Sequence, residues 1–340
     1  MISDVLLTIL QFIPLILVLW LANKGEARRN QSEGSGMGWV ITSSILLGLG
    51  FLLLLMSGLL FLIMASSNAI DTISLPFDMG PRISLMGWSL IAPAILGFLL
   101  FIPIIRRGVA LPFSLDIKNR VHSTSLSILM FVIAYFFVFL SFGIENMAKL
   151  STESTEGNPI VPLWTQQICF FFIAMMGVGW LSGRRTFTQA LARLGLVKPS
   201  LKEIAIGLGS GLLLVTVGPI LEHLGQLIGI GTDPQVGKLT EDMLGPLYGS
   251  VAGILTLGLS AALGEESIFR GALQPRFGVV FTAFIFAIVH SNYGFSISTA
   301  IVFVVGLALG FLRNRYNTST TMVVHATYNM TLGMIAFFST

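Results

Sequence analysis

Charge is scarce in this chain: only 10% of its 340 residues are Asp, Glu, Lys or Arg, against 54% hydrophobic. Soluble domains carry roughly 25% charged residues, so a water-soluble globular protein is excluded. Cysteine is nearly absent as well. The single Cys169 rules out an intramolecular disulfide and a thiolate zinc cluster, and its setting among Ile168, Phe170, Phe171 and Phe172 reads as a small packing or lipid-facing residue. The 16 acidic and 19 basic residues nearly balance, for a net charge of +3. The basic ones are spread over many loops without an aromatic-interleaved patch, so nucleic acid is not an expected partner. The N-terminus lacks a basic leader followed by a small-residue cleavage pattern. Its apolar run, 5–21, passes directly into Lys24, Arg28 and Arg29 and is expected to be a retained first span.

What is abundant is apolar sequence, in runs close to the ~20 residues that take an α-helix across ~30 Å of hydrocarbon. The expected fold is all-α: a polytopic transmembrane helical bundle of about ten spans, near 4–23, 38–65, 84–105, 121–147, 160–182, 201–230, 246–266, 277–291, 294–312 and 319–338. Lys and Arg collect in cytoplasmic loops. The connections after spans one, three, five, seven and nine hold sixteen of the nineteen basic residues, leaving Arg82, Lys149 and Lys238 for the other side. This alternation supports ten spans with both termini outside the cytoplasm and puts the acidic stretches 71–78 and 153–156 on the outer face. Residues 186–196 have amphipathic helical spacing with basic flanks, as expected for a helix lying on the cytoplasmic interface; Pro199 and Ser200 then start the next span. The chain is thus expected to divide into N-terminal transmembrane helices, 1–190, of unassigned role and a C-terminal core, 191–340. The pairs Gly207/Gly211 and Gly306/Gly310 have helix-contact spacing and are read as packing.

The C-terminal core also places polar side chains inside apolar spans: Glu265, Glu266 and Arg270, then His290 four residues after Phe286, then His325 and Asn329. An ionisable group at bilayer depth costs roughly 2.5–3.5 kcal/mol on insertion scales and marks a functional site by default. Residues four apart share a helix face, so Glu266 can reach Arg270, and His325 and Asn329 form a second polar face. Glu265 points about 100° away from Glu266, which lets one carboxylate face a cavity while the other is neutralised by Arg270. Burial disfavours a charged carboxylate and a nearby cation favours it, so the two glutamates should differ in basicity. Glu265 is the expected general base toward a water and Glu266 the partner of Arg270, although sequence alone permits the reverse. Hydrolysis of a peptide bond needs a base, a donor to the leaving amine and donors to the oxyanion; Glu265 with His290 could activate water, and His325 with Asn329 could donate. The same types could hold a catalytic zinc ion through His290, His325 and Glu265, and both mechanisms stay open. No His-Glu-x-x-His or Gly-x-Ser-x-Gly motif occurs. Phe286, His122 and His223 are read as structural.

Glu-Glu-x-x-x-Arg at 265–270, Phe-x-x-x-His at 286–290 and His-x-x-x-Asn at 325–329, in that order on successive late spans, resemble the CPBP family of CAAX prenyl proteases and bacteriocin-processing or immunity membrane proteins, also called the Abi family. The resemblance covers roughly 200–338. It implies an intramembrane endopeptidase with a cavity open to the cytoplasm. The first glutamate and first histidine would activate water, the second histidine and asparagine would stabilise the oxyanion, and metal dependence is disputed. The substrate would be a membrane-associated peptide or protein, lipidated or not. Short loops suit a bacterial or archaeal cell membrane. Oligomeric state is not legible. A non-catalytic immunity or regulatory protein on the same fold is the alternative; a proton-coupled transporter fits less well, because no repeated halves are visible. One geometric tension stands out. If span eight starts at the cytoplasmic face near Phe277, His290 lies ~20 Å along it, while His325 is only about six residues into its own span, so convergence requires tilt, a broken helix or a deep end to span seven.

Overall fold

The computed structural model describes residues 2–30, 36–67, 82–153, 158–231, 233–290 and 294–339. The acidic stretches 71–78 and 154–156 lie outside the described residues. The fold is all-α. In chain order the helices are α1 (Ile2–Asn30), α2 (Met37–Ser66), α3 (Ile83–Leu99), α4 (Pro103–Ala110), α5 (Arg120–Phe142), α6 (Ile144–Glu153), α7 (Ile160–Gly177) and α8 (Phe187–Leu194). They continue with α9 (Leu201–Leu214), α10 (Val217–Leu227), α11 (Pro234–Tyr248), α12 (Val251–Glu266), a π-helical segment (Ser267–Leu273), α13 (Gln274–Phe277), α14 (Val279–Ile288), α15 (Ile297–Arg315) and α16 (Thr318–Ser339).

Among the described residues seven helical stretches are long and apolar enough to cross a membrane, or eight if α3 and α4, bent by 106°, count as one span. The bend follows from Pro103, which opens α4 at a position where its missing N–H costs nothing. The two remaining expected spans are α14, only 10 residues long, and the 22-residue α16, which dilutes its apolar residues with His325, Asn329 and five threonines. Lipid-facing surface is plain on α2, where Leu49, Leu52, Leu53, Met56, Leu60 and Ile63 are all exposed; water would not tolerate an apolar face of that extent on a monomer.

The N-terminal helices pack around Phe51, which is fully buried, stacked on Phe131 and edged by Phe98 and Phe101. Two links join them to the rest. Phe113, in the α4–α5 loop, packs on Phe277 and Phe281, and α7 lies between α1 and α12. A helix forms over the stretch expected to lie on the interface: α8, started by a reciprocal Thr186–Gln189 capping box and ended by Gly195 at φ 75. Ser200 caps α9 in the same way through Glu203.

The glycine pairs act as read. A Cβ on Gly207 would meet Val323 at 2.7 Å and one on Gly211 would meet Thr327 at 2.6 Å, both on α16, while Gly306 and Gly310 admit Ala283 and Val279 of α14. Small residues of this kind let helices close on each other in lipid.

Candidate active site

The site is built on one long span. Residues 251–277 run as α12, the π segment and α13, so the expected end of span seven at 266 is corrected by eleven residues. The two glutamates therefore sit about 16 Å inside the helix end at Phe277, at 1.5 Å per residue. This deep end resolves the tension in the sequence, because α14 starts beside that end and carries His290 back toward the glutamates' depth.

The chain supplies a reason for the wide turn. Pro275 has no N–H, so the Gly271 carbonyl loses its ordinary helical donor; Arg193 of α8 takes that oxygen instead, at 3.3 Å. The amide of Gln274 then bonds five residues back to Phe269. π-turns of this kind recur at functional sites, and this one carries Arg270.

Glu266 and Arg270 are 0% and 1% exposed. Arg270 Nη1 stands 3.3 Å from Glu266 Oε1, and His325 Nδ1 is 2.9 Å from the same oxygen. The i, i+4 pairing expected on an α-helix holds although the backbone there is π-helical. Arg270 Nη2 also donates to the Gly306 carbonyl at 3.3 Å. Its guanidinium lies 4.3 Å above the Phe286 ring, a desolvated cation–π contact worth about 2 kcal/mol. Phe286 touches both histidine rings as well, His290 at 4.8 Å and His325 at 6.1 Å between centroids. The residue read as packing is thus the common wall of the site.

Glu265 faces elsewhere. Its Oε1 accepts from Gln167 Nε2 of α7 at 3.1 Å, and its Oε2 is 3.9 Å from His290 Nε2, with side-chain exposures of 13% and 28%. His290 Nδ1 is 2.8 Å from the Phe286 carbonyl. A carbonyl only accepts, so Nδ1 carries the proton and Nε2 of the neutral ring is an acceptor. Two acceptors 3.9 Å apart can both be served by one water that donates to each, a span at which a bridging water is the natural link.

Asn329 donates to the Leu257 carbonyl at 3.3 Å, leaving the second N–H of its amide. His122 accepts from the Asp116 amide at 3.0 Å, away from this site.

Gln167 escaped the sequence reading. It is 3% exposed, and α12 can approach it only because Gly264 has no side chain, whose Cβ would collide with Gln167. The available signal was the run Trp164-Thr165-Gln166-Gln167, polar amides inside an otherwise apolar span. Trp164 Nε1 adds a second tie to α12 through Thr256, at 3.1 Å.

Among the described residues no three His, Cys, Asp or Glu side chains are grouped to hold a metal ion. Of the expected set of His290, His325 and Glu265, both histidines have Nδ1 engaged, by the Phe286 carbonyl and by Glu266, and keep Nε2 as the nitrogen that could ligate a metal.

Residues 248–331 match the family model described as type II CAAX prenyl endopeptidase Rce1-like. The chain therefore carries an Rce1-like CAAX-protease domain, of the CPBP/Abi family, over about a quarter of its length. The match contains Glu265, Glu266, Arg270, Phe286, His290, His325 and Asn329, and leaves out Gln167. No curated protein and no solved structure matches the chain.

Proposed function

We propose that the chain is an intramembrane endopeptidase that hydrolyses a peptide bond with a water activated by Glu265 and His290. The observation that carries this reading is the difference between the two adjacent carboxylates. Glu266 is sealed and bonded to Arg270 and His325, whereas Glu265 is partly exposed, held by a neutral amide and set 3.9 Å from a histidine acceptor.

Glu265 takes the proton of the attacking water while His290 holds that water's other hydrogen, so that an oxygen lone pair points at the carbonyl carbon; Glu265 then returns the proton to the leaving amine as the C–N bond breaks. The base supplies roughly 10²–10⁴-fold of rate in such a step. Glu266 orients His325 through Nδ1–H. With its Nδ1–H given to Glu266, His325 donates to the oxyanion only when Nε2 also carries a proton. His325 and the second N–H of Asn329 then serve the developing oxyanion. Phe286 fixes both rings and the guanidinium.

Reading α14 and α16 as spans beside the eight apolar ones gives a topology of ten, and the alternation of basic residues supports both termini outside with the arginine-rich loops in the cytoplasm. The family's name makes lipidated peptides the first substrate class to try. The test is cleavage of a panel of membrane-associated peptides, prenylated and not, by purified protein in lipid. Loss of cleavage in both Glu265→Ala and His290→Ala supports the assignment; activity equal to wild type in either variant removes that residue from it.

A further inference from the structure

We propose that the arginine-rich end of the bundle holds a phosphate-bearing lipid headgroup, gripped by Arg184, Arg185, Arg193 and Arg276. Arg276 lies far along the chain from Arg184, Arg185 and Arg193, and folding brings it to them. The Leu194 carbonyl, next to Arg193, lies against Gly271 and accepts from Thr318. Gln274, two residues before Arg276, bonds to Asn314 beside Arg313. The α4–α5 loop closes over the same end through a bond from the Ser114 amide to the Arg276 carbonyl at 2.8 Å.

Three of the four guanidiniums donate to neutral groups. Arg184 donates to Asn23 Oδ1 at 2.7 Å, Arg185 to the Val178 carbonyl and Arg193 to the Gly271 carbonyl. The Nε atoms of Arg276 and Arg313 are buried without a hydrogen-bond partner. Among the described residues none of the four has a carboxylate within 4 Å. Glu26, the nearby acid, is already bonded to Arg29 at 2.6 Å and to the Arg120 amide at 3.1 Å.

Burial, then the neighbouring charges of Arg276, Arg185, Arg313 and Arg184, pull Arg193 down to about 10. Burial and the Arg276 charge lower Arg185 as well. Cations crowded and half-desolvated in this way call for an anion. A phosphate has enough oxygens to accept from several guanidinium forks at once.

The position favours a lipid over a soluble ion. Arg184 and Arg185 follow the end of α7, Arg276 closes the last turn of α13 and Arg313 that of α15, which is the depth of headgroups. Leu181 and Phe187 flank Arg184 and Arg185 and are 56% and 46% exposed, an apolar border suited to acyl chains. Basic pockets between transmembrane helices bind anionic headgroups in this manner.

The test is lipid binding and thermal unfolding of the purified full chain in neutral detergent, which needs no peptidase activity. Phosphatidylglycerol is expected to bind and raise the unfolding temperature where phosphatidylcholine does not. Joint Arg193→Gln and Arg276→Gln substitution should weaken phosphatidylglycerol roughly 10- to 30-fold, while Lys198→Gln with Lys202→Gln, an equal charge loss at exposed positions, should change it less than about threefold. Should the Gln pair not fold, Arg193→Lys with Arg276→Lys keeps the charge, loses the fork and should give an intermediate loss. Equal responses to the two lipids, or undiminished phosphatidylglycerol binding in both arginine variants, would overturn the site. Inorganic phosphate reproducing the full thermal shift would overturn the lipid assignment in favour of a soluble anion.

Discussion

Glu265 and Glu266 share a peptide bond and almost the same depth, yet one stands in a closed ionic node and the other at an open edge. Glu266 meets Arg270, His325 and the wall made by Phe286, with no exposed surface. Glu265, a hundred degrees round the helix, meets an amide and a histidine whose acceptor nitrogen it does not directly bond. The comparison separates holding from reacting. A buried ion pair resists the loss of either partner because the survivor is left charged and dry, so in the proposed mechanism Glu266 holds the node and Glu265 reacts.

The most forceful way to break this comparison is Glu265→Gln. It should lower peptide hydrolysis about 10²–10⁴-fold while leaving thermal unfolding near that of wild type, because Gln can keep a bond to Gln167. Both quantities are measured on the same purified sample.

Glu266→Ala should do the converse. Stranding Arg270 costs about 3–5 kcal/mol, a large share of the ~5–15 kcal/mol that folded proteins possess. The expected outcome is poor yield of folded protein and a strongly lowered unfolding temperature, with removal of the stranded charge in Glu266→Met with Arg270→Met recovering much of the stability but none of the activity.

Gln167→Leu sharpens the open side. A hydrogen bond to a charged group contributes about 1.5–3 kcal/mol, so loss of the bond that aims Glu265 should cut the rate roughly 10- to 100-fold. The apparent substrate affinity should change little, which kcat and KM measured separately will show, and the unfolding temperature should fall with the lost bond.

Phe286→Leu has the smallest expected effect. It keeps apolar volume but removes the ring under Arg270, so stability should fall by about 2 kcal/mol, seen as a lower unfolding temperature, with a modest rate loss as both histidines gain freedom.

Much of this was legible in the sequence because lipid makes polar residues conspicuous. Glu265, Glu266, Arg270, His290, His325 and Asn329 stand out in apolar spans, and the structure brings five of them against one another around Phe286. The helix starts near Thr186 and Ser200 were equally plain. The misses have physical causes. The end of span seven was set at the charges, where hydropathy drops, but Arg270 is neutralised in place and the helix continues to Phe277. The π segment depends on Pro275 freeing a carbonyl that Arg193 occupies, a partnership across 78 residues that no local pattern reveals. Gln167 belongs to the stretch set apart from the core, and its tie to Glu265 exists only because Gly264 lets two helices touch. The arginine cluster is read as scatter along the chain for the same reason, since Arg276 and Arg313 come from helices far in sequence from Arg184, Arg185 and Arg193.

The most direct measurement is cleavage of a membrane-associated peptide panel by purified protein in lipid, with wild type, Glu265→Gln and Glu266→Gln compared alongside their unfolding temperatures. Glu265→Gln is expected to be folded and inert, and Glu266→Gln to be destabilised, with its remaining folded fraction also slowed because His325 loses the carboxylate that orients it. A folded, fully active Glu265→Gln, or a Glu266→Gln as stable as wild type, would contradict the division of labour between the two carboxylates.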